Sequence, residues 1–318
     1  MAEIRIHSSA DRRRVAVVPE IGPDFLKCAF STVRIIKVGT GTTARKQETR
    51  QLWLVEHREG ESFAVRKLNT QFVPVGEQTV INREVLLADY FPEVDIYNTR
   101  VKPAMSMLDE TLAVADEHRE NRKPLSAEME YTRALDVDER NVRATFGLGL
   151  VYLERDDLDK SRMIFAELVE MDAAFENRHK HLFNEFGIFL RKRNLFEEAV
   201  RYYSRALEIN GELYGEDENL YYNLARAYYE KGEWGPCVEF AGRALAVNQQ
   251  HEHAMVLCRL AVILAAKPEL LSRYGKPSVP AEVAARASEF LGVDEEESRS
   301  LAEAAEKTDG NADVLLNL

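Results

Sequence analysis

Two pairs of histidines are the first candidates for chemistry in this sequence. They are His179 with His181 and His251 with His253, and each pair encloses one charged residue. Residues two apart on an α-helix point to different faces, so neither pair forms a helical metal site, although an extended segment would let a pair chelate weakly. We interpret them as exposed histidines at helix starts. No pattern resembles a nucleophile with its base or paired carboxylates in an apolar setting, so we predict no catalytic residue, no metal, no cofactor and no enzymatic activity.

Phosphate binding is the second chemistry that the residue types suggest. Asp11–Arg14 form a basic cluster that could hold a phosphate, and Gly39–Thr42 follow a predicted strand as a phosphate loop would. The second segment lacks the third glycine of a dinucleotide fingerprint, and no Gly-Lys-Ser/Thr follows it. Gly275–Ser278 fails as a P-loop because no strand precedes it and Pro277 replaces the Ser or Thr. A nucleotide-like signal bound by the N-terminal region therefore remains an alternative.

The charge of the chain is uneven. Residues 1–100 carry 15 Lys and Arg against 13 Asp and Glu, and the rest carries 27 against 41, so net charges of +2 and −14 make up the total of −12. Phosphate contacts need Lys and Arg, so the acidic part argues against nucleic-acid binding. No apolar run is long enough for a secretion signal or a membrane span. Three scattered cysteines indicate reduced, buried thiols, and we expect a cytoplasmic, bacterial protein that inserts into no membrane.

One pattern of small and large residues returns three times between residues 142 and 250. A small residue is followed three positions later by a large one and twelve positions later by a second small one. The three sets are Gly149, Tyr152 and Ser161; Gly187, Leu190 and Ala199; and Ala225, Tyr228 and Cys237. Residues three apart share a helix face, and a small residue there lets the next helix approach closely. The pattern predicts helix–turn–helix units that must stack to bury their apolar faces.

This pattern resembles the tetratricopeptide repeat family. The segment Tyr221–Trp234, followed by Ala244 and Leu245, matches the family best, and Asn194–Asn210 gives a second match. The resemblance covers about residues 108–266 and implies a solenoid of stacked helix pairs. We place its parts at 108–141, which matches weakly, and at 142–175, 180–213, 218–251 and the cap helix 252–266. The cap helix is apolar nearly all round, so we predict that the helical tail, residues 267–318, folds back over the last repeats.

Residues 1–100 predict a small β-rich domain. Four short segments are rich in Val, Ile and aromatic residues, as strands are: Arg13–Pro19, Thr32–Val38, Gln51–Arg58 and Ser62–Leu68. Trp53, Val55, Phe63 and Val65 alternate with their neighbours, which predicts a half-buried antiparallel hairpin around the loop His57–Glu61. Exposed strand edges in this domain would allow a homodimer.

The segment that joins the two parts is predicted from its glycine and prolines. Gly76 is expected to interrupt the strands, and Arg83–Tyr90 to form a short helix. Pro92 and Pro103 bracket Glu93–Lys102, which predicts an extended connector. The fold class is therefore α+β, with a β-rich domain at 1–100, an all-α repeat solenoid at 101–266 and a helical C-terminal cap.

The resemblance also implies a binding surface, because the first helix of each tetratricopeptide pair lines a concave groove that holds a partner segment. The corresponding positions here are Phe146, Leu150, Leu153, His181, Asn184, Ile188, Arg191, Asn219, Tyr222, Asn223, Arg226 and Tyr229. Family members that clamp acidic chaperone tails use Lys and Asn where this chain has Phe146 and Leu150, so we reject that ligand. We predict an adaptor that binds a protein or peptide segment. The alternative is a regulator whose N-terminal domain senses a ligand and whose repeats are the output.

Overall fold

The computed structural model describes residues 27–38, 45–210, 217–294 and 296–297. The chain divides into two compact units, Met1–Ala144 and Thr145–Leu318. Four predicted features lie wholly or mostly outside the described residues: the strand Arg13–Pro19, the cluster Asp11–Arg14, the loop Gly39–Thr42 and a second helix of the tail, expected from about Asp294 to Lys307. Of that helix, Asp294 is described, and its carboxylate accepts hydrogen bonds from the backbone N–H groups of Glu296 and Glu297, as a helix N-cap does.

The first unit contains an antiparallel sheet of five strands in the order β4-β3-β2-β1-β5. The strands are β1 (Lys27–Val38), β2 (Arg45–His57), β3 (Ser62–Leu68), β4 (Pro74–Asn82) and β5 (Phe91–Pro92). The β-rich domain and the β2–β3 hairpin are confirmed, whereas β4 and β5 were not predicted. The expectation that Gly76 interrupts the strands is wrong. Gly76 lies inside β4 at a φ of 75°, beside a register irregularity between β3 and β4 where an extended strand absorbs extra residues.

The centre of the sheet is buried on both faces. Val55 of β2 lies opposite Val65 of β3, and both pack with Phe63 and with Leu86 of a short helix, α1 (Arg83–Asp89). Leu54, which points to the other face, is also buried in a second cluster. The prediction of a half-buried hairpin is therefore wrong, because elements that follow the strands in the chain cover both sides of it.

The predicted extended connector Glu93–Lys102 is helical instead. It contains α2 (Val94–Ile96) and a π-helical turn (Tyr97–Val101), which runs directly into α3 (Lys102–Glu120). Pro103 is the second residue of α3 and directly follows the π-helical turn, which the Lys102 N–H closes by donating to the carbonyl of Tyr97. Here a proline lies within a continuous helical segment and does not mark its boundary.

The first helix pair packs with the sheet in the first unit. It consists of α3 and α4 (Pro124–Val137). Val101, just before α3, is fully buried with Ala29, Leu54 and Leu68 of the sheet. Asn69, in the turn after β3, donates from its side-chain amide to the carbonyl of Val137 at 2.7 Å. The pair predicted as the first repeat is thus held to the sheet at both of its ends.

The remaining helices follow the predicted repeats closely. They are α5 (Val142–Glu154), α6 (Leu158–Val169), α7 (Lys180–Lys192), α8 (Phe196–Asn210), α9 (Glu218–Lys231), α10 (Trp234–Val247) and α11 (Glu252–Ala266), followed by α12 (Leu271–Tyr274) and α13 (Ala281–Leu291). Helix α13 packs against α10 and α11, so the tail folds back over the last repeat as predicted.

Candidate functional site

The first helices of two successive repeats, α7 and α9, lie parallel and side by side. The Lys180 ammonium contacts the Asp217 carboxylate at 2.8 Å, which joins the start of α7 to the N-cap of α9. At the other end, Arg191 of α7 lies 3.7 Å from the carboxylate of Glu230 on α9. Helix α9 in turn contacts α11. The first helices α7, α9 and α11 therefore lie next to one another in sequence order.

The small residues of the repeat are packing positions, as the spacing predicted. A methyl group on Gly149 would lie 2.7 Å from Cε2 of Phe186, and one on Gly187 would overlap the ring of Tyr203. Both contacts bring a neighbouring helix close to the glycine backbone. A different face of α7 and of α9 is left for the polar positions predicted to line a groove.

The predicted groove positions on α7 and α9 divide by exposure. His181 and Asn219 are exposed, and the half-buried positions are Asn184, Ile188, Arg191, Tyr222, Asn223 and Arg226. The side chains of His181, Asn184, Asn219 and Asn223 form no hydrogen bond to any other described residue. These four polar groups are therefore available to a ligand.

The structure corrects the prediction that Phe146, Leu150 and Leu153 form an apolar part of the groove. Phe146, Leu150 and Leu153 on α5 are completely buried, so they form no surface. The ring of Phe146 lies 5.9 Å from that of Phe186 and 6.4 Å from that of Tyr202, inside a cluster of aromatic side chains. The residues are core because aromatic side chains from both helices of the next repeat, α7 and α8, pack against this side of α5.

Tyr229 is also buried, because a segment of the tail covers it. The Lys276 ammonium lies 4.3 Å from the centre of the Tyr229 ring, and it donates to the backbone carbonyl of Glu230 at 3.0 Å. Trp234 contacts Tyr229 edge-on at 5.5 Å and donates from its indole N–H to the carbonyl of Pro277 at 3.0 Å. The prediction that Tyr229 is open to a partner is wrong in this conformation, and neither Lys276 nor Trp234 was predicted to take part.

The family model described as tetratricopeptide repeat matches residues 112–174. This chain contains tetratricopeptide repeats. The match spans the second half of α3 and all of α4, α5 and α6, and so includes most of the helix pair whose sequence resembled the family only weakly. No curated protein matches the sequence.

Several solved structures are similar to part of this chain. Pseudomonas aeruginosa PilF is 17% identical with a TM-score of 0.40 and covers 65% of this chain and 87% of its own. YrrB, described as a TPR protein with an unusual peptide-binding site, is 19% identical with a TM-score of 0.38 and covers 62% and 90%. MamA is 15% identical with a TM-score of 0.40 and covers 64% and 95%. Overlaps at this level carry no inference about function.

The histidines of the two predicted pairs differ in exposure and in the contacts that they make. His251 is buried, and its Nδ1 accepts the backbone N–H of Ala254 at 3.2 Å, which caps α11. Its ring and that of His253 lie 5.1 and 5.5 Å from the Tyr222 ring. The interpretation as exposed histidines therefore holds for His181 and is wrong for His251. No three His, Cys, Asp or Glu side chains of the described residues are grouped as a metal ion would require.

Burial suppresses the ionisation of several groups in the tetratricopeptide repeats. Burial, with smaller contributions from Arg178 and His181, lowers the pKa of His179 to about 4, so its imidazole is neutral at neutral pH. Burial raises the pKa of Cys258 to about 12, and it also raises the pKa of Cys237. Both thiols are free and buried, as predicted, and a thiol with a raised pKa is a poor nucleophile.

Two further predictions concern surfaces beyond the repeats. None of the helices among the described residues has the length and apolar content needed to span a bilayer. Asp11–Arg14 and Gly39–Thr42, on which the alternative of a nucleotide-like signal depends, lie outside the described residues. The edge strand β4 carries Val80 with 60% of its surface exposed, and the homodimer stays a prediction.

Proposed function

We propose that the tetratricopeptide repeats bind a segment of a partner protein along the surface of α7 and α9, and that the protein acts as a non-enzymatic adaptor in the cytoplasm. The observation that carries the proposal is the set of polar side chains on two parallel helices that no described residue uses: His181, Asn184, Asn219 and Asn223. Packing does not require amides at these positions, so their presence favours a role in recognition.

The chemistry of these side chains fits the backbone of a peptide. An asparagine amide both donates and accepts, as each peptide unit does, so Asn184 and Asn223 on neighbouring helices can bind successive backbone groups of an extended segment. Ile188, half-buried one turn after Asn184, supplies an apolar contact for a partner side chain. The net charge of −14 over residues 101–318 favours a basic partner and disfavours nucleic acid.

The test compares three full-length proteins as bait in cell lysate. They are the wild type, an Asn184→Ala and Asn223→Ala double variant, and a control double variant, Gln249→Ala and Gln250→Ala. The control removes two amides from an exposed turn between α10 and α11. Far-UV circular dichroism checks that all three are folded.

A partner held by the wild type and the control but lost by the Asn184 and Asn223 variant is the expected result. Its affinity for each purified protein is then measured, and we expect a loss of about 1–3 kcal/mol from removing two hydrogen-bonding amides. Equal affinity for all three proteins would place recognition elsewhere and refute the proposal.

A further inference from the structure

Lys276 of the tail is bound by three different cation acceptors at one point. Its ammonium donates to the Glu230 carbonyl at 3.0 Å, lies 3.4 Å from the Glu230 carboxylate and stands 4.3 Å from the centre of the Tyr229 ring. The Glu230 carbonyl belongs to the last turn of α9, where the helix dipole favours a cation. Only 10% of the Lys276 side chain is exposed. A carboxylate, a helix C-terminus and an aromatic face together form a site for an ammonium group.

The next residue, Pro277, is recognised separately. The Trp234 indole N–H donates to its carbonyl at 3.0 Å. A methyl group on Gly232 would lie 2.9 Å from Cδ of Pro277, and Gly232 has a φ of 80°, so glycine is required both by the turn and by the proline ring. Gly275, Pro277 and Ser278 are exposed, whereas Val279 is buried in the core of the last repeats. The contact at the end of α9 is therefore made by the Lys276 side chain and by the carbonyl and ring of Pro277.

The carboxylate of Glu230 keeps cationic partners when Lys276 leaves this site. Two arginines lie near Oε1 of this carboxylate, whereas Lys276 lies near Oε2. The Arg226 Nε is 3.1 Å from Oε1 and the Arg191 guanidinium is 3.7 Å from it. Arg226 also lies 5.3 Å from the centre of the Tyr229 ring. A half-buried carboxylate left without a partner would make release costly, and here two cations remain to pair with it.

We propose that Tyr229, Glu230 and Trp234 form a subsite for a lysine followed by a proline in a partner segment, and that Lys276 and Pro277 occupy it until the partner binds. This inference rests on the proposed function and extends it, because the subsite lies on α9 at the end of the surface that carries Asn219 and Asn223. It specifies the partner as a basic segment with a Lys-Pro pair, which the acidic repeats attract.

The test uses a fluorescein-labelled peptide of residues 275–280 and full-length proteins. In Lys276→Ala the tail no longer competes, so the peptide should bind this variant at least about tenfold more tightly than it binds the wild type. Lys267→Ala, which removes another tail lysine, should bind the peptide as weakly as the wild type does. A peptide carrying Lys276→Gln should not bind the Lys276→Ala protein more tightly than it binds the wild type. Adding Glu230→Gln to the Lys276→Ala protein should likewise abolish its tighter binding of the unaltered peptide. Fluorescence anisotropy gives the affinities.

Equal affinity of the peptide for the wild type, Lys276→Ala and Lys267→Ala, or no binding to any of them, would show that Lys276 is a fixed brace and overturn the inference. Lys276→Gln, which keeps most of the length of the side chain and removes its charge, is measured alongside in case the alanine variant unfolds. Failure of this inference can be distinguished from failure of the proposed function. A partner that needs Asn184 and Asn223 but binds wild type and Lys276→Ala equally would leave the proposed function standing and refute this subsite.

Discussion

The contact between Gly242 on α10 and Phe290 on α13 gives a prediction whose sign reverses with the background. A methyl group on Gly242 would overlap the Phe290 ring. In the wild type, Gly242→Ala should lower the free energy of unfolding. With Phe290→Ala already present, the same Gly242→Ala change should raise it, because the ring that would clash has gone.

The magnitudes follow from two opposing effects. Alanine in place of glycine inside a helix is favourable by about 1 kcal/mol, and forcing an extra methyl into a packed contact costs about 1–3 kcal/mol. Gly242→Ala should therefore change stability by about 0 to −2 kcal/mol in the wild type and by about +1 kcal/mol with Phe290→Ala. The coupling energy between the two sites is then about 1–3 kcal/mol.

The assay is urea unfolding followed by the fluorescence of Trp234, at the start of α10, in a Trp53→Phe background that leaves one tryptophan. Gly235→Ala is the matched control, because Gly235 is on the same helix and a methyl group there meets no atom within 4 Å. Its effect should be the same with and without Phe290. A coupling between Gly242 and Phe290 below about 0.5 kcal/mol would refute the packing of α13 on α10.

Two further predictions concern histidines. The pKa of His179 is about 4 in the folded chain against about 6.5 when unfolded, so folding holds it neutral and its contribution to stability is lost as the pH falls from 6.5 towards 4. Allowing for screening at a half-exposed site, this is about 1–2 kcal/mol, and His179→Asn should remove that part of the pH dependence of urea unfolding; an unchanged slope would contradict it. His251→Ala removes the N-cap of α11 and should cost about 1 kcal/mol, whereas His251→Asn, which can cap, should restore most of it in the same assay.

The helices of the repeats could be predicted because their signal is local. Gly187 and Leu190 stand on one helix face by their spacing alone, and the predicted unit at 180–213 contains both α7 and α8. Exposure could not be predicted in the same way. Phe146 and Leu150 occupy positions that line a groove in the family, but here Phe146 packs against aromatic rings contributed by residues 40 or more positions later in the chain. Burial is set by such distant contacts, which a spacing rule does not contain.

The polar positions of the candidate site could be predicted from the sequence, but the contact of the tail with α9 could not. Asn184 and Asn223 follow from the repeat register, because equivalent helices present equivalent faces. Lys276 and Pro277 belong to a short segment without periodicity, and their residue types match no binding motif. Gly76 and Pro103 show a related limit: each residue type interrupts structure in some contexts, but here Gly76 lies within a strand beside a register irregularity and Pro103 lies within a helical segment.

The packing of α13 also shows which helix ends the stack of repeats. The contact of Gly242 with Phe290 repeats the arrangement of Gly149 with Phe186 and Gly187 with Tyr203, in which an aromatic ring of a later helix covers a glycine. Helix α11 has almost no polar face and cannot end the stack, because water would meet apolar side chains. On α13, Ala287 is buried while Glu282, Arg286 and Glu289 are exposed. Since α13 packs as a repeat helix on one face and is solvated on the other, it caps the described helices, and truncation before Ala281 should expose α11 and cause aggregation.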